Sequence, residues 1–260
     1  MAGYREDRYE VNGIDTAVLD AGDGEPLVYF HGAGTAFGFD HLLPLAERFR
    51  LIVPNHPGFG ASADDPAIDG LHDYVLHYLD LLDQLGVGEL VLVGESLGGC
   101  IAAWFAIEQP RRIRRLALLS PFGLRVPDHP STDFFSIPDE QVPEHLVADL
   151  SLFAGAPMPP PPEFLAERYR EAASFARVAW HSPYDRKLPR WLHRITAPTL
   201  LVWGEEDRLH PVGQAAAWAD LIPNAEVITF PGVGHLPVIE TPEAVPAIAS
   251  FLAAEVSASA

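Results

Sequence analysis

The sequence predicts an α/β domain with a mostly parallel central sheet, flanked by helices and interrupted once by a helical insertion. Three observations predict it. Short apolar runs alternate with amphipathic segments, the pattern of repeated βα units. The runs are apolar on both faces, as strands covered by helices on two sides must be. The rhythm breaks in one place only, between about 122 and 194.

Residues 9–20, with Asn12-Gly13 set between alternating residues, read as an antiparallel hairpin entering the sheet. Residues 26–30 (PLVYF) read as a buried strand ending at His31-Gly32, and 51–53 as the next, closed by Pro54. Leu71, Tyr74, Val75, Tyr78, Leu79, Leu82 and Leu85 recur at helical spacing, with Gly86 as the C-terminal stop. A strand at 89–93, a helix at 97–108 ended before Pro110, and a strand at 116–119 follow. Beyond the break, strands at 199–203 and 226–230 and a closing helix at 244–254 resume the pattern.

The interrupting segment holds a proline-rich run at 157–162 and the aromatics Phe134, Phe135, Phe153, Phe164, Phe175, Trp180, Tyr184 and Trp191. Residues 144–153 and 163–180 are patterned as helices. So many aromatics argue against a disordered linker, and long insertions in compact domains usually serve function. The expected organisation is a core of 1–121 and 195–260, with 122–194 as a helical cap over its functional edge. Phe134, Phe135, Phe153 and Trp180 are the candidate substrate wall; each is equally suited to the cap's own packing.

Composition narrows the function classes. The 260 residues carry a net charge of −19, and Lys187 is the sole lysine. Such acidity repels nucleic acid and anionic membranes, so neither is an expected partner. Cys100 is the only cysteine, which leaves no intramolecular disulfide and no thiolate metal cluster. No apolar run approaches the ~18 residues of a membrane span, and 1–10 is charged without the apolar stretch of a secretory signal. The expectation is a soluble, cytoplasmic protein acting on a small molecule. Nothing in the sequence sets an oligomeric state.

The chemistry is concentrated in Gly94-Glu95-Ser96-Leu97-Gly98, between the apolar 90–93 and the helix at 97–108. A G-x-S-x-G pentapeptide in strand–turn–helix context is a nucleophile elbow, whose small flanking residues let strand and helix approach closely. A serine hydroxyl needs a base within hydrogen-bond reach. Of eleven histidines, His235 is best placed, in a Gly-rich loop between an apolar strand and the last helix. An acid must orient it. Asp207, just beyond the 199–203 strand, is favoured over its neighbours Glu205 and Glu206 because the loop must extend from Gly204 before reaching the histidine. The oxyanion of the tetrahedral intermediate needs preorganised donors. These are expected from the N–H groups of Leu97 and, in His31-Gly32-Ala33-Gly34, of Ala33. His31 reads as a brace of that loop, because a second base would have no task. No metal-site spacing is present, and neither a metal nor an organic cofactor is expected.

Together these residues resemble the α/β-hydrolase superfamily over nearly the whole chain. Asn55-His-Pro-Gly-Phe-Gly-Ala-Ser62 resembles its D-x-P-G-x-G-x-S loop, with Asn55 where aspartate is usual, and Gly232-Val-Gly-His235-Leu-Pro with Glu240-Thr-Pro242 resembles its C-terminal histidine block. In some relatives the acid follows the strand after the nucleophile helix; Ser120-Pro121 stands there, without a carboxylate. The resemblance implies a serine hydrolase without cofactor, expected to be a carboxylesterase acting on a largely apolar ester through an acyl-enzyme on Ser96. The relatives that cleave C–C bonds in ring-fission products often carry Trp directly after the catalytic histidine. Leu236 holds that place here. C–C, lactone or thioester hydrolysis by the same triad is the alternative expectation. A non-catalytic ligand-binding relative, which could retain all three residues, is a further one.

Overall fold

The computed structural model describes residues 3–154, 157 and 159–254; Met158 of the proline-rich run and the last six residues lie outside this range. Eight strands form one sheet: β1 (Arg5–Val11), β2 (Ile14–Ala21), β3 (Glu25–Phe30), β4 (Phe49–Pro54), β5 (Leu90–Glu95), β6 (Ile113–Leu119), β7 (Thr199–Gly204) and β8 (Ala225–Phe230). Their spatial order is β1-β2-β4-β3-β5-β6-β7-β8. The last six run parallel, while β2 is antiparallel to both β1 and β4. The expected hairpin is therefore present. Asn12 and Gly13 both have positive φ (52° and 85°), the geometry a two-residue turn requires to match strand twist.

The helices are α1 (Leu71–Gln84), α2 (Leu97–Glu108), α3 (Val142–Leu146), α4 (Pro162–Ala179), α5 (Gln214–Leu221), α6 (Pro237–Glu240) and α7 (Ala244–Ala253). Successive strand residues feed opposite layers. Leu90 and Leu92 pack toward α1 and α2, whereas Val91 and Val93 pack toward α7 and the 3₁₀ segment Asp40–Glu47. This accounts for strands that are apolar on both faces. The edge strand β8 departs from that expectation: Glu226, Val227 and Thr229 are exposed. None of the helices among the described residues is long and apolar enough to cross a membrane.

Between β6 and β7 the chain builds α3, α4 and several short 3₁₀ turns. Helix α4 matches the 163–180 pattern closely. The helix expected over 144–153 does not form as one element. It is α3, then an extended Val147, then the 3₁₀ turn Leu150–Phe153, started by the Asp149 carboxylate accepting from Ser151 N–H at 2.9 Å. The break has a cause: Leu146 C=O accepts from His235 N–H (3.0 Å), and Ala148 N–H donates to Glu240 (2.6 Å). The backbone that would have continued the helix holds the histidine loop instead.

Candidate active site

All six parallel strands end at one edge of the sheet, where ligands of open α/β folds bind. Strand β5 stops at Glu95 and α2 starts at Leu97, so Ser96 alone makes the turn, at φ 52° and ψ −115°. For a residue with a Cβ this is strained by about 1–3 kcal/mol. Ser96 N–H to Leu119 C=O and Phe122 N–H to Ser96 C=O, each 2.9 Å, hold it. The flanking glycines are steric necessities: a Cβ on Gly98 would stand 2.1 Å from Phe30 O and 2.4 Å from His31 O. Gly98→Ala is expected to destabilise by about 3 kcal/mol, lowering Tm by roughly 6–12 °C. A melting curve that overlays the wild type would contradict this packing.

His235 and Asp207 are both buried, at 1% and 5% exposure. His235 Nδ1–H donates to Asp207 Oδ2 at 2.9 Å, and Asp207 Oδ1 accepts the N–H groups of Leu209 and His210, also at 2.9 Å. Of the three neighbouring acids, Asp207 is the one joined to the imidazole; Glu205 accepts from the Thr229 hydroxyl (2.8 Å). Burial works against both charges. For Asp207, the charge and hydrogen bond of His235 outweigh it and hold the carboxyl below its ordinary range. For His235, burial is outweighed by Asp207, with Glu95 and Glu240 adding to it, so the imidazole is raised. Glu240 also accepts Gly234 N–H at 2.8 Å, fixing the loop before the ring. His235 Nε2 is buried without a hydrogen-bond partner among the described residues. Such a nitrogen can accept a proton.

The loop after β3 lies against the elbow. A Cβ on Gly32 would meet Ser96 Cβ at 3.4 Å, and Leu97 N–H, in the first turn of α2, has no partner within its own helix. His31 has the bracing contacts its position suggests. Nδ1–H donates to Gly32 C=O (2.7 Å), Nε2 accepts His56 N–H (3.0 Å), and the ring packs 3.7 Å from that of His56. Burial pushes it down to about 4, so it is neutral and fully bonded.

The aromatics of the insertion separate into two groups. Phe134 and Phe135 pack on Phe175, which meets Phe122, and Phe122 lies 6.0 Å from the His210 ring beside His235. This ladder leads from the insertion to the histidine. Trp180 touches Phe135 at its outer end but is 61% exposed, and Phe153 pairs with Phe37 elsewhere.

Four groups at the site were not singled out by sequence reasoning. Glu95 fills the unspecified second position of the elbow pentapeptide, where the pattern carries no signal. Its buried carboxyl is pushed up to about 7, burial outweighing the influence of His235 and Tyr29. His210 belongs to the acid loop and donates its N–H to Asp207. Arg168 and Glu171, one turn apart on α4, had a weak signal: opposite charges spaced i,i+3, a pattern common on solvated helix faces. A consequence for pH follows from Glu95. With His235 as the base expected from the sequence, an imidazole held above its ordinary 6.5 must lose its proton before it can act, so the acid limb of activity is expected above pH 6.5. The charged and titratable groups acting on this pair are Asp207, Glu240, Tyr29 and, across the ring, His210. Glu95, at about 7, is itself only part-charged across that limb, and the charge it carries favours imidazolium. Glu95→Gln removes it, so the limb in a kcat/KM profile should move to lower pH, and an unmoved limb would refute the coupling.

The sheet order, the elbow and the hydrogen-bonded acid and histidine at the strand ends define a hydrolase framework. The alpha/beta hydrolase family model matches residues 27–248, and the chain belongs to that family. It is 29% identical to a 2-hydroxy-6-oxo-2,4-heptadienoate hydrolase from Pseudomonas putida, over 94% of each chain. It is 30% identical to a 2-hydroxy-6-oxo-6-phenylhexa-2,4-dienoate hydrolase from Burkholderia cepacia, over 83% of each. Among solved structures, a bacterial membrane phospholipase A superposes with a TM-score of 0.78 at 26% identity, covering 96% of this chain and 86% of its own. The protein is an α/β-fold hydrolase.

Proposed function

We propose that this hydrolase cleaves a C–C bond in a small ring-fission product of the 2-hydroxy-6-oxo-dienoate type, with Ser96 as nucleophile, His235 as base and Asp207 as its orienting acid. The observation that carries the substrate class is Arg168. Its Nη1 lies 2.7 Å from where a Cβ on Gly34 would stand, over the loop that follows Ala33, and its buried Nε has no hydrogen-bond partner among the described residues. Its Nη2 is held by Glu171 and the Thr35 hydroxyl, and the remaining donors, over the loop expected to hold the oxyanion, suit a substrate that carries a carboxylate, as the dienoates in the relatives' names do. A simple apolar ester would not call on them.

In this reading Ser96 attacks the C6 ketone while His235 takes the hydroxyl proton. The N–H groups of Ala33 and Leu97 hold the oxyanion. The cleavage needs the keto tautomer, in which the proton of the 2-hydroxyl has passed to C5 before the attack. The C5–C6 bond then breaks with its electrons drawn through C3=C4 onto the C2 carbonyl oxygen, and His235 delivers its proton to that oxygen, releasing the 2-hydroxy-dienoate. Water then releases the acyl group from Ser96. The segment 122–194 acts as the cap, its ladder of Phe134, Phe135 and Phe175 forming one wall. Phe153 and Trp180 lie outside that ladder.

The carboxylic ester remains the second reading. Leu236, in place of the tryptophan common after the histidine of C–C hydrolases, favours it, as does the likeness to a phospholipase A. Comparing kcat/KM for 2-hydroxy-6-oxo-hepta-2,4-dienoate with that for p-nitrophenyl butyrate tests the choice. Preference for the dienoate by orders of magnitude supports C–C cleavage; the reverse preference supports the ester. Arg168→Leu should raise KM for the dienoate about 10–100-fold, the worth of a charged hydrogen bond, and leave KM for the neutral ester within a few-fold, while kcat falls for both because Glu171 loses its counter-charge. Equal changes in KM for both would remove the arginine from substrate recognition.

A further inference from the structure

The helix α4 reaches the oxyanion loop through one buried carboxylate. Glu171 is 0% exposed and gathers donors from two separate loops of the core. Thr35 donates to it twice, by its hydroxyl at 2.6 Å and by its N–H at 3.3 Å. Gly60 donates its N–H at 3.0 Å. Arg168, three residues earlier, is ion-paired with it and also donates to the Thr35 hydroxyl oxygen at 3.3 Å. The other hydrogen-bonding side chains of α4 do not join the two loops: Arg170, Ser174 and Arg177 bond to residues 58–68, to Tyr74 or to one another.

The position of Thr35 matters because Ala33 is two residues away and Gly34 lies between, with the Arg168 guanidinium pressed against it. A loop of small residues has little side-chain packing to set the direction of its N–H groups. A carboxylate that takes both Thr35 donors fixes the far end of that loop, and His31 fixes the near end through Gly32. A buried anion here would oppose a developing oxyanion if it stood alone. Paired with Arg168 it is neutralised, so the loop gains the geometry without the opposing charge.

We propose that Glu171 is a positioning residue for the oxyanion hole: it orients the Ala33 N–H through Thr35 and makes that orientation depend on the seating of α4. The assignment rests on Ser96 and Ala33 having the roles given above, but it holds for an ester and for a diketone alike. A misplaced donor lowers transition-state binding more than ground-state binding. Glu171→Ala is therefore expected to lower kcat about 10–100-fold with KM changed less than about threefold.

The test is turnover of p-nitrophenyl butyrate together with inhibition by phenylboronic acid, whose tetrahedral adduct places an oxygen in the hole. In Glu171→Ala the inhibition constant should rise by the same factor as kcat/KM falls. Glu171→Gln, which keeps the shape and one acceptor oxygen, should fold like the wild type and fall between the two. Thr35→Val, which removes only the hydroxyl donor, should lie closer to the wild type than Glu171→Ala. A rise in KM with kcat and boronate affinity unchanged, in either Glu171 variant, would overturn the proposal, because Glu171 would then only fasten the insertion. Turnover retained in Ser96→Ala would overturn the nucleophile reading, and this inference with it. Turnover lost in Ser96→Ala but untouched in both Glu171 variants would overturn this inference alone.

Discussion

Ser96→Ala is expected to lower kcat by about 10⁶-fold while leaving the fold intact. The size follows from the unit that is lost. Without the hydroxyl, His235 has no proton to take and no acyl-enzyme forms; the oxyanion donors alone act on the substrate. The residual rate should still exceed the uncatalysed one by ~10³-fold or more. Thermal stability should change little. The hydroxyl makes no bond that holds the turn, and alanine keeps a Cβ at φ 52°, so the backbone strain stays as it is. Steady-state kinetics on either substrate class checks this. A variant that retains a tenth of the activity would place the nucleophile elsewhere.

Asp207→Asn should cost about 10⁴-fold in kcat, and the reason lies in which imidazole nitrogen carries the proton. The carboxylate accepts from Nδ1–H, which leaves Nε2 as the acceptor. The asparagine carbonyl would stay bonded to the Leu209 and His210 N–H groups, which only an acceptor can satisfy. Its amide would then face Nδ1 as a donor, forcing the proton onto Nε2, where it blocks the base. The ionisation shifts as well. With Asp207 neutral, burial prevails over the remaining anions and His235 falls from its raised value. The acid limb of the weakened activity should move to lower pH, in the same direction as for Glu95→Gln. A variant with wild-type kcat, or with an acid limb moved upward, would contradict the assignment of Asp207.

Most of this architecture was legible because its signals are local. Strands buried on two faces give unbroken apolar runs, and α2 starts at Leu97, directly after the Ser96 turn, as the pentapeptide implies. Asp207 was harder to separate from its neighbours Glu205 and Glu206, because the geometry of the turn decides which of the three meets His235; in the fold it is Asp207. The insertion was read well where a helix is amphipathic and long, as in α4. It was misread at 147–149, where Ala148 N–H bonds to Glu240 and the preceding Leu146 C=O to His235, some ninety residues away in sequence. No local pattern announces such a contact. Glu171 and Arg168 were hidden for a related reason. On a helix with many charges, a pair whose carboxylate is buried looks like any exposed one until the loops that cover it are known. Glu95 was hidden by the motif itself, which leaves its position free, although burial there brings a carboxyl to about 7.

Catalysis at this site requires Ser96 to be the activated nucleophile. Treating the protein with a fluorophosphonate near neutral pH and mapping the modified peptide tests this directly. The expected result is a single stoichiometric adduct on Ser96, formed far more slowly in Asp207→Asn. An adduct on any other residue, or none at Ser96 in the folded wild-type protein, would contradict it.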